Sequence, residues 1–233
     1  MEQVSSIDVN YFVANRSGMA RFLPDKYEHV LEVGCASGGF AGSLTKARDS
    51  WGIEPHPPSA ERARLLYKHV LTGTFEQVED QLPDHHFDLL VCNDVIEHMP
   101  DHDAFIRNVR KKLKPGAYLV GSLPNVRHIT ALMKLLLLKD WAYTESGILD
   151  RTHLRFFTEK SIHRFFSEHG LEVEVFEGQA SVIKNGLMQN GKPLPPLKNA
   201  LFRAGVAGLV ALSFGYYADT QYPQFGFRVK FPD

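Results

Sequence analysis

Short apolar segments alternate with longer amphipathic ones along most of the chain. Five segments in the first half are brief and nearly all apolar, which is typical of parallel strands covered on both faces. They are residues 29–33, 50–54, 69–73, 87–93 and 117–123. Two later segments, 171–177 and 225–231, alternate apolar and polar positions, as strands do near an edge or in an antiparallel pair. The pattern predicts an α/β chain built on a parallel sheet.

Helices are predicted between these strands. Residues 101–113 place Phe105, Ile106 and Val109 at helical spacing and stop before Pro115. Residues 158–169 form a second amphipathic segment. A third helix is expected to start at the prolines of positions 57 and 58 and to continue to about residue 68.

Two insertions interrupt the alternation. Residues 126–157 follow the fifth strand and include a helix-like stretch at 129–138, and residues 178–224 separate the last two strands. Such insertions usually carry specificity. Within the second, residues 204–217 are apolar but shorter than the ~20 residues of a membrane span, so a buried or lid helix is expected in preference to membrane contact. Residues 1–233 are expected to form one domain, with residues 1–27 as a helical cap.

Composition limits the partners. Lys+Arg number 26 and Asp+Glu 27, for a net charge of −1 over 233 residues. We therefore expect no nucleic-acid partner, no strong attraction to an acidic membrane and no membrane span, but a small-molecule partner and a possible homodimer. The 2 cysteines exclude a disulfide framework, and the polar start lacks a signal peptide, so a cytoplasmic location is expected.

A glycine-rich turn follows the first strand in the segment H-V-L-E-V-G-C-A-S-G-G-F at residues 29–40. A buried strand that runs into such a turn, and from there into a helix, is the context that nucleotide-type cofactors require. Gly34 and Gly38 permit tight turn dihedrals and close backbone approach because neither has a Cβ atom. Ala36 stands between them with the next smallest side chain.

Two carboxylates indicate which cofactor the turn serves. Glu54 closes the second strand twenty residues after Gly34, where a carboxylate reaches the hydroxyls of a ribose. Glu32 ends the first strand, where its charge would repel a pyrophosphate but favour an ammonium or sulfonium group. The pair favours S-adenosylmethionine over NAD.

These residues resemble the first motif of the class I S-adenosylmethionine-dependent methyltransferases, acid-x-Gly-x-Gly-x-Gly, with Ala36 at the central glycine. Residues 51–54, 87–101 and 113–120 are similar to further motifs of that family, and the resemblance covers about residues 28–177. It implies a doubly wound, mostly parallel seven-stranded sheet of the Rossmann-like methyltransferase fold with helical insertions. It also implies S-adenosylmethionine as the cofactor.

The resemblance implies cofactor-binding roles at fourteen positions. In chain order they are Tyr11, Arg16, Glu32, Gly34, Cys35, Ala36, Gly38, Glu54, Pro55, Thr74, Phe75, Asn93, Asp94 and Val95. Thr74 occupies a place where an aspartate often binds the adenine amino group. Phe75 either stacks on the adenine or packs in the core. Cys35 and Cys92 are interpreted as small buried residues.

Candidate catalytic residues are histidines. His98 follows the fourth strand, where similar enzymes present residues to the methyl group, and its ordinary pKa of ~6.5 suits proton removal. Loop ordering is the alternative role. His153 lies in a segment that similar enzymes place beside the acceptor, where Arg151 and Arg155 orient an anionic group or form surface ion pairs.

No metal site is predicted. His98 and His102 are four residues apart, but Pro100 between them argues against one helix that presents both.

The function favoured is methyl transfer from S-adenosylmethionine to a small molecule by in-line displacement, at oxygen rather than nitrogen. One alternative is an NAD-dependent oxidoreductase that uses Gly34, Ala36 and Gly39 as its dinucleotide turn. Another is a noncatalytic protein that binds the cofactor and a partner.

Overall fold

Seven strands form one sheet in the computed structural model, which describes residues 17–189 and 192–233. A short hairpin of two further strands lies in the second insertion. The strands are β1 (His29–Val33), β2 (Asp49–Glu54), β3 (His69–Thr72), β4 (Phe87–Asn93), β5 (Leu113–Pro124), β6 (Glu172–Gln179), β7 (Met188–Gln189), β8 (Lys192–Pro193) and β9 (Gln224–Lys230).

The strand order is β3-β2-β1-β4-β5-β9-β6, and β9 runs antiparallel to both β5 and β6. The remaining pairs are parallel. The order therefore reverses between β1 and β4, and in open α/β sheets a crevice for ligands forms outside the carboxyl ends of the strands at such a point. The prediction of a doubly wound, mostly parallel seven-stranded sheet is confirmed.

Seven α-helices lie within the described residues. They are α1 (Pro57–Ala63), α2 (Phe75–Val78), α3 (His102–Val109), α4 (Ile129–Leu137), α5 (Glu159–Glu168), α6 (Val182–Asn185) and α7 (Pro196–Leu212). Asp101 and Thr158 cap α3 and α5 through their side chains. α3 ends at Val109, and a 3₁₀ turn then leads to Leu113, where β5 begins four residues before its predicted start.

The helix expected after the glycine turn is absent from the described structure. A 3₁₀ turn, Ala41–Ser43, occupies its place. Gly38, Gly39 and Gly42 each disfavour an α-helix by about 1 kcal/mol relative to alanine, which explains why the predicted helix does not form.

The second insertion also differs from the prediction. The apolar helix starts at Pro196 rather than at residue 204, and Val206 is its one fully buried residue among the positions described. Its residues are otherwise exposed or half-buried, so it is not a buried helix, and the lid helix that was the other expectation stays a prediction. Between residues 17 and 233, leaving out 190 and 191, we find no helix with the length and apolarity to cross a membrane.

The N-terminal part of the chain is described from Ser17 onward. Residues 17–22 form a 3₁₀ helix that buries Met19 and Phe22. Tyr11 and Arg16, and most of the predicted cap at residues 1–27, lie outside the described residues.

Two apolar clusters cover the two faces of the sheet. Alternate residues of β4 divide between them, with Leu90 in one cluster and Val91 in the other. Phe227 of β9 is fully buried in the first cluster, where its ring lies 4.8 Å from that of Phe166 on α5. The core thus fixes the antiparallel β9 strand between β5 and β6.

Replacing Phe227 with alanine is expected to lower the free energy of unfolding by about 3–5 kcal/mol, because it leaves a cavity in a packed core. Phe214→Ala is the matched control, since that side chain is 99% exposed, and its effect should stay within about 0.5 kcal/mol. Urea denaturation measures both. Equal losses in the two variants would contradict the assignment of Phe227 to the core.

Candidate active site

The turn after β1 has an unusual backbone. Gly34, Ala36 and Gly38 have φ of 72°, 48° and 84°. A Cβ atom on Gly34 would lie 2.6 Å from Cγ2 of Val95, which belongs to the loop after β4. Glycine at position 34 therefore lets the turn and that loop meet at the point where the strand order reverses.

Glu54, at the end of β2, holds this turn. One carboxylate oxygen accepts a hydrogen bond of 2.9 Å from the backbone N–H of Ala36, and the other accepts one of 2.9 Å from His56. The residue is 4% exposed, and burial raises its pKa against the opposing effect of these two bonds. Each oxygen keeps a second lone pair that can accept from a ligand hydroxyl.

Glu32, at the end of β1, is buried beside Tyr67. The phenol of Tyr67 donates a hydrogen bond to the Glu32 carboxylate. Burial and the adjacent carboxylate raise the pKa of Tyr67 well above its usual value, so the phenol remains a proton donor. A carboxylate held in this way puts negative charge beside the glycine turn.

The end of β4 supplies polar groups to the same place. Asn93 is buried, and neither atom of its amide has a hydrogen-bond partner among the residues described. Asp94 follows with a φ of 54° and accepts hydrogen bonds from Ser122 and from Gln224. A buried amide without hydrogen bonds lowers the stability of the fold. A polar ligand that bonds Asn93 would remove this penalty.

The remaining predicted cofactor residues have mixed surroundings. Pro55 and Thr74 are exposed, and Thr74 is the N-cap of α2. Phe75 is buried, and its ring makes a T-shaped contact with Phe105 at 5.0 Å. The structure therefore favours the packing role for Phe75 over stacking on adenine.

Both cysteines are free and buried, as predicted. Burial raises the pKa of each thiol well above its usual value. Cys35 therefore lies at the turn as a neutral, small side chain.

Glu97, His98 and His153 come together beside the carboxyl end of β4. Each offers one ligand atom, and these atoms all lie within 4.8 Å of one another. The two imidazole rings are 4.8 Å apart in a T-shaped arrangement. The structure thus unites the two histidines that the sequence indicated separately and adds Glu97, which was not predicted.

Backbone hydrogen bonds produce this grouping. The carbonyl oxygen of Glu97 accepts from the N–H groups of Leu154 at 2.8 Å and Arg155 at 3.1 Å. This contact fastens the end of the first insertion to the loop after β4. This contact could not be predicted from a local sequence pattern, because its partners are more than fifty residues apart in the chain.

Second hydrogen bonds orient both rings. Nδ1 of His98 lies 3.1 Å from the carbonyl oxygen of Thr152, and Nδ1 of His153 lies 3.0 Å from that of Ile148. Because a carbonyl oxygen only accepts, Nδ1 of each ring carries a proton, and Nε2 is the nitrogen left to accept a proton or to bind a metal ion. Burial lowers the pKa of His98, which keeps the lone pair of its Nε2 available near neutral pH. Histidine ligands of metal ions are oriented by the same kind of bond.

Other candidates lie apart from this group. The His102 ring stacks on Phe165. Arg151 pairs with Glu145, and Arg155 donates to the carbonyl oxygen of Pro100. Arg151 thus forms the surface ion pair that was its alternative role, whereas the Arg155 side chain bonds backbone carbonyl groups instead of a carboxylate.

His128 is a further residue that the sequence analysis did not single out. It is buried directly before α4, and burial lowers its pKa to about 4.

Comparisons with known proteins agree on one family. Residues 8–175 match a family model described as a methyltransferase domain. A ubiquinone biosynthesis O-methyltransferase of Aliivibrio fischeri is 31% identical over 134 residues, which are 54% of this chain and 53% of that protein. The chain thus spans about half the length of the curated relatives it matches.

Two solved structures share the fold. A SAM-dependent methyltransferase from Archaeoglobus fulgidus aligns with a TM-score of 0.57 at 16% identity, over 88% of this chain and 86% of that one. Another, described as a possible histamine N-methyltransferase from Thermotoga maritima, aligns with a TM-score of 0.58 at 17% identity, over 93% and 87%. At these identities the likeness concerns the fold.

The backbone of Ala36 yields a test of the turn. A left-handed conformation costs alanine about 1–2 kcal/mol, and glycine avoids most of that cost. Ala36→Gly is therefore expected to raise the free energy of unfolding by about 0.5–1 kcal/mol, measured by urea denaturation. Ala104→Gly, in α3, should instead lower it by up to about 1 kcal/mol. A loss of stability in Ala36→Gly would show that the turn is not strained.

Proposed function

The chain belongs to the S-adenosylmethionine-dependent methyltransferases, and from this premise we propose that it methylates a hydroxyl oxygen of a small molecule. The observation that carries the proposal is the group of Glu97, His98 and His153 after the carboxyl end of β4. Of the two alternatives from the sequence, neither NAD-dependent oxidation nor a noncatalytic role accords with the methyltransferase family.

In this proposal Glu54 accepts hydrogen bonds from the ribose hydroxyls of the cofactor. Its two oxygens already accept hydrogen bonds from Ala36 and His56, so the same carboxylate both holds the turn and binds the ribose. The methionine end lies toward Glu32 and Asn93. The amide of Asn93 then gains the partner that the described residues do not supply.

Methyl transfer removes positive charge from the sulfonium, so the protein mainly aligns the acceptor and excludes water. A hydroxyl acceptor must also lose its proton. Nε2 of His98 or His153 is the group that accepts this proton, because Nδ1 of each ring is committed to a backbone carbonyl.

The same three side chains fit a divalent cation. Two imidazole nitrogens and one carboxylate, within 4.8 Å of one another, form a donor set that transition-metal ions accept. A bound cation would lower the pKa of the acceptor hydroxyl. The residues orient the acceptor in either case, and the expectation of a site without metal stays a prediction.

We assign the acceptor side of the site to the insertions at 126–157 and 178–224. The first contributes His153 to the cluster. Gln224, where the second ends, donates to Asp94 at the end of β4. The relatives named ubiquinone biosynthesis O-methyltransferases support oxygen as the acceptor atom, although this chain matches about half of their length.

The ribose assignment is tested by calorimetry with S-adenosylhomocysteine. Glu54→Ala should weaken binding by about 1.5–3 kcal/mol, because hydrogen bonds to a charged group are worth that much. Glu61→Ala, which removes an exposed carboxylate of α1, is the matched control.

An analogue without the ribose hydroxyls separates sugar recognition from support of the turn. The wild type should bind this analogue more weakly than it binds S-adenosylhomocysteine. Glu54→Ala should bind the two ligands with about the same affinity. If the variant still discriminates between the two ligands as the wild type does, Glu54 does not read the ribose.

The histidine cluster is tested by turnover. His98→Ala and His153→Ala should each lower kcat by about 10²–10⁴-fold while S-adenosylhomocysteine affinity stays unchanged. His163→Ala, an exposed histidine on α5, should leave both unchanged. Full turnover by both cluster variants with the true acceptor would exclude the assignment.

Chelation distinguishes the two forms of the mechanism. If a cation is bound, a chelator abolishes wild-type turnover and one of Mg²⁺, Mn²⁺ or Zn²⁺ restores it. If the histidine acts directly, a chelator has no effect.

A further inference from the structure

Exposed apolar side chains are concentrated in the two insertions. Among the described residues, every strongly exposed large hydrophobic side chain lies in these insertions, except Leu65 and Leu66. Most belong to α4, α7 and the turns that follow these helices, which we call the insertion surface. Its exposed members are Met133, Leu135, Leu136, Leu137, Leu138, Leu197, Leu201, Leu212, Phe214 and Tyr216.

Each helix of this surface is only partly covered by the rest of the described chain, and α7 packs against α6 and the residues that follow it through Arg203 and Asn199. α4 fully buries Ala131, and α7 fully buries Val206. Leu136 and Leu137 are each 69% exposed, and Leu212 is 85% exposed. Apolar patches of this kind mark sites that bind a protein or a membrane.

Hydrogen bonds join the residues before α4 to the residues after α7. The guanidinium of Arg127, just before α4, bonds the carboxylate of Asp219, after α7, at 2.6 and 3.2 Å. The amide of Asn125 also donates to the carbonyl oxygens of Asp219 and Tyr222, both at 2.9 Å. The chain that enters α4 therefore lies beside the chain that leaves α7.

The charge of the insertion surface distinguishes between two possible binding partners, a second copy of the chain and a lipid bilayer. No aspartate or glutamate occurs from residue 178 to 218 or from 125 to 139, whereas seven lysines and arginines do. They are Arg127, Lys134, Lys139, Lys184, Lys192, Lys198 and Arg203. The whole chain has a net charge of −1, but these two stretches contain no acidic residue and are positively charged where the leucines are exposed, with Arg127 paired to Asp219.

A second copy of the chain would bring two positive surfaces together, which costs energy. An anionic lipid headgroup complements them.

We propose that the insertion surface docks the enzyme on an anionic lipid bilayer. The helices lie in the plane of the interface, with their exposed leucines at the acyl boundary and the lysines among the headgroups. Neither helix needs to cross the membrane. This inference goes beyond the methyl transfer proposed above and does not depend on it.

Vesicle co-sedimentation tests the proposal without cofactor or acceptor, so its outcome is independent of turnover. Wild type should bind phosphatidylcholine vesicles that contain phosphatidylglycerol. Binding should fall at least about tenfold without phosphatidylglycerol, or when salt is raised from about 0.1 M to about 1 M.

Substitutions locate the contact. Leu136→Ser combined with Leu137→Ser should reduce partitioning about tenfold, and so should Lys139→Glu combined with Lys198→Glu. All four residues are exposed, so the fold should be kept, which circular dichroism verifies. Leu65→Ser and Lys160→Glu are matched exposed controls outside the surface and should bind as the wild type does.

Two results would overturn the proposal. One is equal sedimentation of wild type and the leucine variant. The other is a stable dimer in analytical ultracentrifugation that the leucine variant disrupts, since the occupant would then be a second copy of the chain.

Discussion

The buried carboxylate of Glu54 is the interaction on which the candidate active site depends. A negative charge removed from water needs donors, and the donors within reach are the backbone N–H groups of Ala36 and His56. The hydrogen bond from Ala36 holds the turn after β1 in its left-handed conformation, which is unfavourable for alanine. The turn in turn contacts the loop after β4 through Gly34 and Val95. One ionised group thus links β2, β1 and β4 at the crevice.

The end of β4 and the loop after it contribute residues to both the cofactor crevice and the group of Glu97, His98 and His153. Asn93 and Asp94 lie toward the cofactor crevice, and Glu97 and His98 lie a turn further along the chain. The insertion that follows β5 returns to this loop through the carbonyl oxygen of Glu97 and delivers His153. In the proposed function, one short segment therefore contributes residues both to cofactor binding and to proton removal, and a distant part of the chain completes it with His153.

Features that depend on neighbouring residues in the chain were predictable from the sequence. β1 and β4 have the predicted bounds, and Cys35 and Cys92 are buried as expected. Prediction from the sequence failed where glycine content or distant contacts decided the outcome. The helix expected after Gly38 is a 3₁₀ turn, and α7 begins at Pro196 rather than at residue 204. Of the two roles predicted for Phe75, the structure favours packing, against Phe105. The net charge of −1 hid a basic region, because averaging over the chain cancels charges that lie far apart in space.

The sequence by itself determined the parallel sheet, the glycine turn, the acids at the ends of β1 and β2, and through them the family and its cofactor. These features follow from the period of apolar residues and from the spacing of a few side chains, which are properties of neighbours in the chain. Only the tertiary structure decided that Glu97, His98 and His153 form one group, that Tyr67 binds Glu32, and that the leucines of α4 and α7 face outward. Those facts depend on which surfaces the fold brings together. The physical reason is that contacts between distant segments arise from packing and leave no periodic trace in the sequence.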